Sequence, residues 1–146
     1  SKDVDGVNSA SFGKMSMDRD AYISATPYGI IRLLKHYNIE MSGKHAVVVG
    51  RSAILGKPMA LLLLRENCTV TVCHSRTENL PDVVRTADIV AGAVGKPKFI
   101  QADWLKPGVV LVDAGYDPDV INQYLNINAS SDNMKAYQKA QQAHRR

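Results

Sequence analysis

Residues 45–50, HAVVVG, place four apolar residues in a row before a glycine, and three of the four are β-branched. A strand of this kind has no polar face to turn to water, so both of its faces must be covered. Parallel sheets with helices on both sides bury their inner strands in this way. The run therefore predicts an α/β fold in which this strand is buried inside a parallel sheet.

Helical and strand patterns alternate along the chain up to residue 116. Helices are predicted where apolar residues recur at helical spacing, and strands where short β-branched runs end at glycine or polar residues. The predicted helices run from Thr26-Pro27 to Asn38, from Pro58 to near Asn67 and over 80–85. The strands predicted after the first one cover 69–74, 87–95 and 108–115. This order is typical of a Rossmann-type doubly wound parallel sheet with helices on both faces.

The patterns divide the chain into three regions. Residues 1–25 carry Gly, Ser, Asn and Asp with little periodicity and are predicted to form an irregular lead-in. Residues 26–116 are predicted to form the Rossmann-type domain. Residues 117–146 are polar and rich in Asn and Gln, which indicates either a weak amphipathic helix or a disordered tail.

Composition and charge argue against several classes of partner. The net charge of +4 is small and the Lys and Arg residues are scattered, so no nucleic-acid partner is expected. No apolar run is long enough to span a bilayer, so no membrane partner is expected. Cys68 and Cys73 lie at the two ends of one predicted strand, about 16 Å apart, which is too far for a disulfide. We therefore expect reduced thiols and a cytoplasmic protein.

Two glycines flank the turn after the first strand, but Gly50 and Gly56 do not have the common G-x-G-x-x-G spacing. One interpretation is a tight strand-to-helix connection that binds nothing. The other is a phosphate-binding turn, because glycine lets a pyrophosphate approach the backbone and the next helix presents N–H groups at its N-terminus.

The end of the second strand favours the phosphate interpretation. Folds of this type that bind NAD place an acidic residue about 20 residues after the turn, where it accepts from the ribose 2′-hydroxyl. Residues 73–77 read CHSRT and contain no acid. Ser75 and Arg76, with Arg51 beside the glycine turn, suit a dianionic 2′-phosphate instead, which predicts NADP rather than NAD. His74 is either a further contact or a packing residue.

The third and fourth strands also end in residues suited to a ligand crevice. Ala93, Val94 and Gly95 follow the third strand, at the carboxyl edge where such sheets bind ligands. Gly115 follows the fourth strand and would let the backbone approach a nicotinamide ring. Asp113, just before it, is as easily a structural residue as a binding one.

Several motifs, in order, resemble one family: KDVDG (2–6), TPYGI (26–30), GKHAVVVGRSAILGKPMALLLL (43–64), TVTVCHSRT (69–77), ADIVAGAVGKPKFI (87–100) and WLKPGVVLVDAGY (104–116). They are similar to the bifunctional methylenetetrahydrofolate dehydrogenase/cyclohydrolases, the FolD family. The resemblance implies oxidation of 5,10-methylenetetrahydrofolate to the 5,10-methenyl form with NADP, followed by hydrolysis to 10-formyltetrahydrofolate. It also implies a homodimer that pairs through this domain.

The resemblance also implies roles for individual residues. Some would line the phosphate turn: Gly50, Arg51, Ser52 and Ile54. Ser75 would hold the adenosine ribose together with Arg51, and Ala93, Val94 and Gly95 would border the cofactor. Gly115 would lie near the nicotinamide. Asp5 would bind the pterin ring of the tetrahydrofolate derivative, although an acid before Gly6 also suits a turn cap.

The chain departs from the family's pattern in two places. The family's catalytic Tyr-x-x-x-Lys motif, which belongs to a preceding domain, matches none of the six tyrosines, and no TPVPGGVGP-like segment follows Tyr116. No catalytic residue and no metal ligand is therefore predicted here, and we expect poor turnover by these residues alone, with folate held mainly by the missing N-terminal domain. An alternative is a non-catalytic module that binds NADP or a protein partner. Shikimate-type and amino-acid-type dehydrogenases share the architecture, but KDVDG argues against them.

Overall fold

The computed structural model describes residues 3–96 and 99–114. The helices are Ser9–Ser16 (α1), Ala25–His36 (α2), Gly56–Arg65 (α3) and Leu80–Arg85 (α4), with one 3-10 turn at Ala102–Trp104. The strands are His45–Val49 (β1), Thr69–Cys73 (β2), Ile89–Gly92 (β3) and Val110–Asp113 (β4).

The four strands form one parallel sheet in the order β2-β1-β3-β4. The chain moves from β1 outward to β2 and then returns to the other side of β1 for β3. Beside β1 the strand order therefore reverses, and folds of this type bind ligands at the carboxyl edge of such a reversal. The sheet confirms the predicted fold class.

Side chains of β1 and β3 alternate between two apolar layers. Ala46 and Val48 belong to the layer under α1, α2 and α3, whereas Val47 and Val49 belong to the layer under α4 and the 3-10 turn. Each of these four side chains is at most 1% exposed, which is the double burial predicted from the HAVVVG run. Helices thus cover both faces of the sheet, as the sequence predicts.

The first three helices end on residues in the left-handed backbone conformation, and none of these is glycine. Asp18, Asn38 and Asn67 have φ values of 55°, 53° and 64°. After α3, the N–H of Cys68 donates to the carbonyl of Leu63 at 3.1 Å, and Asn67 N–H donates to Leu64 at 2.9 Å. This is the Schellman arrangement, in which Asn is the commonest substitute for glycine.

The structure differs from the sequence analysis at several boundaries. Helix α1 lies inside the predicted irregular lead-in, where Asn8 caps it by accepting from Ser11 N–H at 2.7 Å. Helix α2 begins one residue before Thr26, and α3 begins two residues before Pro58. The strands predicted over 87–95 and 108–115 are shorter, as β3 and β4 show. The predicted tail, 117–146, lies outside the described residues, and the domain boundaries stay a prediction.

Both cysteines are buried free thiols, in agreement with the prediction that they do not form a disulfide. Among the described residues, none of the helices combines the length and apolar character needed to cross a bilayer.

Candidate cofactor-binding site

The carboxyl ends of the four strands meet in register at one edge of the sheet. Val49 pairs with Cys73 of β2 and Gly92 of β3, and Gly92 pairs with Asp113 of β4. The next residues continue the ladder, because Gly50 N–H donates to the Cys73 carbonyl at 2.8 Å. Adjacent strands lie about 4.8 Å apart, so the loops that leave this edge are close neighbours. These loops contain those residues of the predicted cofactor site that the structure describes.

Gly50 and Gly56 are both required by close backbone contacts. Gly50 has a φ of +127°, and a Cβ there would overlap the carbonyl group of Ala93, whose carbon lies 2.8 Å away. A Cβ on Gly56 would lie 2.6 Å from the carbonyl carbon of Gly50 and 2.7 Å from Arg51 N. The turn therefore brings the end of β1 and the start of α3 into backbone contact that side chains would prevent.

Ser52 occupies the N–H groups at the start of α3. Its Oγ accepts from Leu55 N at 3.1 Å and from Gly56 N at 3.2 Å, and its carbonyl accepts from Lys57 N at 2.9 Å. Pro58 has no N–H to offer. The expectation that the helix itself presents free N–H groups to an anion is therefore wrong for this turn, because Ser52 has already satisfied them.

Other N–H groups of this turn remain available to a ligand, and they lie just before the N–H groups that Ser52 accepts from. Within residues 3–96 and 99–114, no acceptor contacts the N–H groups of Arg51, Ser52, Ala53 or Ile54. All four residues are exposed, and Ile54 is 60% exposed. Successive N–H groups in a turn form a concave anion site, and the positive end of the α3 dipole adds to it. The turn is thus suited to a phosphate through its loop backbone.

A contact that the sequence analysis missed fastens this turn to α2. Ser24 lies at the N-cap of α2, yet its hydroxyl does not cap that helix and instead donates to the Ile54 carbonyl at 2.9 Å. Thirty residues separate the two groups. A serine before a helix predicts a cap, so no signal in the sequence indicates the longer contact.

The second group of predicted residues lies in a β-turn at the end of β2. Thr77 N–H donates to the His74 carbonyl at 2.9 Å, which closes a turn with Ser75 and Arg76 at its two central positions. Ser75 and Arg76 are exposed, whereas His74 and Thr77 are half-buried. Because Cys73 pairs with Val49, this turn and Arg51 leave the same edge from adjacent strands.

Arg51 and Arg76 have no ion-pair partner within the described part of the chain. The four ion pairs that occur there join other residues, so their carboxylates are not available to these two arginines. The ends of β1 and β2 therefore present two cations and one hydroxyl, and no carboxylate within the described residues forms an ion pair with either cation, which is the chemistry expected of a site for a dianion.

The predicted residues after β3 lie beside the glycine turn. Ala93 N–H donates to the Val49 carbonyl at 2.8 Å, and Val94 packs against the apolar layer under α4. Gly95 is exposed with a φ of +50°. The Asp113 carboxylate lies close to the end of β3, because a Cβ on Gly92 would be 3.1 Å from its Oδ1. Gly115 lies outside the described residues.

The two acids of the KDVDG motif have different surroundings. The Asp3 carboxylate accepts from Val7 N at 3.3 Å and from Asn8 N at 3.4 Å, and a hydrogen bond with the Ser11 side chain lowers the pKa of Asp3. Asp5 is exposed, and its carboxylate has no hydrogen-bond or ion-pair partner among the described residues. The sequence suits Asp5 either to capping this turn or to binding a ligand. Asp3 makes the hydrogen bonds of the turn instead, so the Asp5 carboxylate is available to a ligand.

A pocket of about 510 Å³ lies against α1. None of the described residues predicted to bind the cofactor lines it; its walls include Asp3, Ser11, Lys14, Asp20 and Tyr22. No group of three or more His, Cys, Asp or Glu residues in the described ranges is placed to hold a metal ion.

Comparison with known proteins identifies the family. The profile of the tetrahydrofolate dehydrogenase/cyclohydrolase, NAD(P)-binding domain, matches residues 24–142, which continues past Tyr116, the end of the last motif that carries the resemblance. The bifunctional protein FolD of Alcanivorax borkumensis is 67% identical over 118 residues, covering 81% of this chain and 42% of the relative. The chain thus spans less than half the length of this relative.

Solved structures agree with the sequence match. The bifunctional FolD dehydrogenase/cyclohydrolase of Campylobacter jejuni superposes with a TM-score of 0.77 at 40% identity, over 80% of this chain and 42% of that one. The FolD of Trypanosoma brucei, solved with NADP cofactor and inhibitor, has a TM-score of 0.73 at 37% identity, over 78% of this chain and 40% of that one. The chain belongs to the tetrahydrofolate dehydrogenase/cyclohydrolase family, and it contains that family's NAD(P)-binding domain.

Proposed function

We propose that this chain binds NADP at the carboxyl edge of its sheet, as the cofactor domain of a methylenetetrahydrofolate dehydrogenase/cyclohydrolase. The residues present fit the cofactor: a Cβ would fill the space at Gly50, and the N–H groups of 51–54 have no acceptor within the described ranges. The FolD of Trypanosoma brucei, which has the same domain fold, is solved with NADP. When bound, NADP supplies a hydride acceptor.

The observation that carries the proposal is the position of Arg51 beside the Ser75–Arg76 turn. Both leave the same edge of adjacent strands, and no carboxylate pairs with either arginine in the described part of the chain. NAD offers a neutral 2′-hydroxyl there, which two cations do not favour. NADP offers a dianionic phosphate, to which charge-assisted bonds are about twice as strong as neutral ones.

Titration calorimetry with NADP and NAD tests the proposal. The wild-type chain should bind NADP more tightly than NAD, and Arg51→Ala should weaken NADP by roughly tenfold or more while changing NAD about twofold at most. Arg32→Ala on α2 is the matched control, since Arg32 is exposed and has no ion-pair partner among the described residues. Equal weakening of both dinucleotides by Arg51→Ala would contradict a contact to the 2′-phosphate.

For the whole protein we propose the two reactions of the family: oxidation of methylenetetrahydrofolate, then hydrolysis of the methenyl form. The exposed carboxylate of Asp5, which has no partner within the described residues, supports a pterin contact by that acid. These 146 residues contain no Tyr-x-x-x-Lys motif, and general acid–base catalysis commonly contributes about 10²- to 10⁴-fold. NADP reduction with methylenetetrahydrofolate should therefore be at least about 10²-fold slower than in a full-length relative. Full activity from these residues alone would contradict this.

The alternative function is a non-catalytic module that binds NADP or a protein partner. The same dinucleotide edge supports it, because binding needs none of the catalytic groups. Calorimetry with NADP, and an assay of NADP reduction after mixing with a catalytic domain from a relative, separate the two functions. Restored turnover on mixing favours the enzyme; NADP binding without restored turnover favours the module.

We also propose that two copies of the chain pair along β2. Within the described residues β2 pairs with no strand other than β1, so its outer edge has unpaired backbone groups, and Val72 of this strand is 41% exposed. Light scattering should give a dimer mass for the wild type and a monomer mass for Val72→Glu. Leu33→Glu on α2 is the control, because Leu33 is as exposed as Val72 but lies away from that strand. A monomeric wild type would contradict the pairing. The cytoplasmic location stays a prediction.

A further inference from the structure

The turn that carries Ser75 and Arg76 is closed twice by one residue. Thr77 N–H donates to the His74 carbonyl at 2.9 Å, and Thr77 Oγ1 accepts from the His74 N–H at 2.8 Å. Both backbone groups of His74 are therefore bound by Thr77. A turn closed by one backbone hydrogen bond opens readily. The second hydrogen bond here also holds the Thr77 side chain against the backbone of the turn, so both bonds must break before the turn opens.

The turn has further contacts at its tip and at its base. The N–H of Arg76 donates to His74 Nδ1 at 3.2 Å, so the imidazole accepts at that nitrogen. The side chain of Thr77 also lies beside the Cys73 thiol, which is buried at the end of β2. Thr77 thus connects the turn to the sheet, while Ser75 and Arg76 stay exposed.

We propose that Thr77 is a positioning residue that sets the preference of this site for a 2′-phosphorylated adenosine over one with a free 2′-hydroxyl. This inference rests on the proposed NADP site. It adds that Thr77 orients Ser75 and Arg76, which donate to the phosphate in that site. Thr77 itself need not touch the phosphate. Its two bonds to His74 fix the backbone on either side of Ser75 and Arg76.

The physical reason is the cost of ordering. A phosphate dianion gains most from donors that already point to one place, and each side chain or backbone segment that must be ordered on binding reduces the affinity. If the turn were loose, Ser75 and Arg76 would still attract the phosphate but would have to be ordered first. A neutral 2′-hydroxyl gains only a weaker bond from Ser75, whereas the dianionic 2′-phosphate gains charge-assisted bonds from the ordered turn, so the loss should fall mainly on the 2′-phosphate.

The experiment measures the affinities for 2′,5′-ADP and 5′-AMP by calorimetry on the full chain, since these ligands differ only in the 2′-phosphate. Thr77→Val removes the hydroxyl and keeps the shape, and it should lower the 2′,5′-ADP affinity on the order of tenfold. The 5′-AMP affinity should change by less than about twofold. Thr77→Ser keeps the hydroxyl and should retain the wild-type ratio. Thr69→Val, at the other end of β2, is the control because Thr69 is exposed there.

The outcomes separate this inference from the proposed function. A wild type that does not prefer 2′,5′-ADP would overturn both. A wild-type preference that persists in Thr77→Val, or an equal loss of both ligands, would overturn only the role of Thr77. If Thr77→Val does not fold, amide hydrogen exchange of the wild type decides: the amides of His74 and Thr77 should be protected, and exchange at open-loop rates would overturn the proposal.

Discussion

The carbonyl group of Ala93, at the end of β3, occupies the space where Gly50, at the end of β1, would carry a Cβ. The two residues follow Val49 and Gly92, which are paired in the sheet, so the contact lies where the strand order reverses. Gly50 also has a φ of +127°, which side chains disfavour. Conformation and space therefore both require glycine at this position.

Gly50→Ala should destabilise the fold by about 2–4 kcal/mol, because backbone strain and a steric overlap add together. Gly29→Ala should act in the opposite direction. Gly29 lies inside α2, where an added Cβ would meet no atom within 4 Å, and alanine is favoured there by about 1 kcal/mol. Urea unfolding of both variants measures the difference. A Gly50→Ala variant as stable as the wild type would contradict the close contact with Ala93.

Ser52→Ala should lower the free energy of unfolding by about 0.5–2 kcal/mol, because the Leu55 and Gly56 N–H groups lose their acceptor. Ser42→Ala is the control, since no hydrogen bond of the Ser42 hydroxyl occurs within the described ranges. Thermal unfolding without ligand is the appropriate measurement, because it separates the capping role from any contact with a cofactor. An unchanged melting temperature for Ser52→Ala would argue that the cap contributes nothing.

Asn67→Ala should destabilise the chain by about 1 kcal/mol, whereas Asn67→Gly should be neutral or stabilising. The reason is the φ of 64° at Asn67, which glycine adopts freely and alanine does not. Chemical denaturation of the two variants tests the order. Alanine as stable as glycine at this position would show that the left-handed C-cap of α3 is not held in solution.

Asp88 should make stability depend on pH. Its carboxylate bonds Lys106 Nζ at 2.6 Å and His45 N at 2.9 Å, and the hydrogen bond with Lys106 is the main reason that the Asp88 pKa lies below its usual value. A lowered pKa in the folded state stabilises the chain above the unfolded pKa, and that contribution disappears as pH falls through the folded pKa. Asp88→Asn should therefore be less stable than the wild type at pH 7. This difference in stability should decrease as the pH falls below about 4.

The measurement is urea unfolding of the wild type and Asp88→Asn from pH 7 to pH 3. Asp82→Asn, which removes the exposed pair with Arg85, should change stability less because exposed surface pairs contribute little. A constant difference between wild type and Asp88→Asn over the whole range would contradict the lowered pKa.

The two thiols should report unfolding. Burial raises the pKa of Cys68 and of Cys73, and both side chains are at most 3% exposed. Only the thiolate reacts, so a disulfide reagent at pH 8 should label the native chain slowly and both thiols rapidly in urea. Rapid labelling of the native protein would indicate that the ends of β2 open in solution.

Patterns of burial are readable from the sequence because they are repeated along it. The HAVVVG run predicts the buried strand β1, the β-branched run that begins at Thr69 predicts the strand β2, and α4 has the predicted bounds. Asn38 and Asn67 are recognisable as helix ends, since few residues tolerate the left-handed conformation that terminates a helix there.

Individual contacts across the chain are not readable in this way. Helix α1 has the sequence SASFGKMS, which lacks periodicity; packing of Met15 into the core and capping by Asn8 stabilise it instead. The bonds of Ser52 could not be foreseen either. A serine in a glycine turn is equally suited to a phosphate and to the N–H groups of its own helix, and only the backbone geometry decides.

The glycine turn is fastened at three points: by Ser24 to the Ile54 carbonyl, by Ser52 to the start of α3, and by the packing of Gly50 against Ala93. A nucleotide that reaches this edge therefore finds its docking surface already assembled. The glycine turn does not have to rearrange before contact, so stopped-flow association should show a single exponential whose rate rises linearly with nucleotide concentration and reaches no plateau.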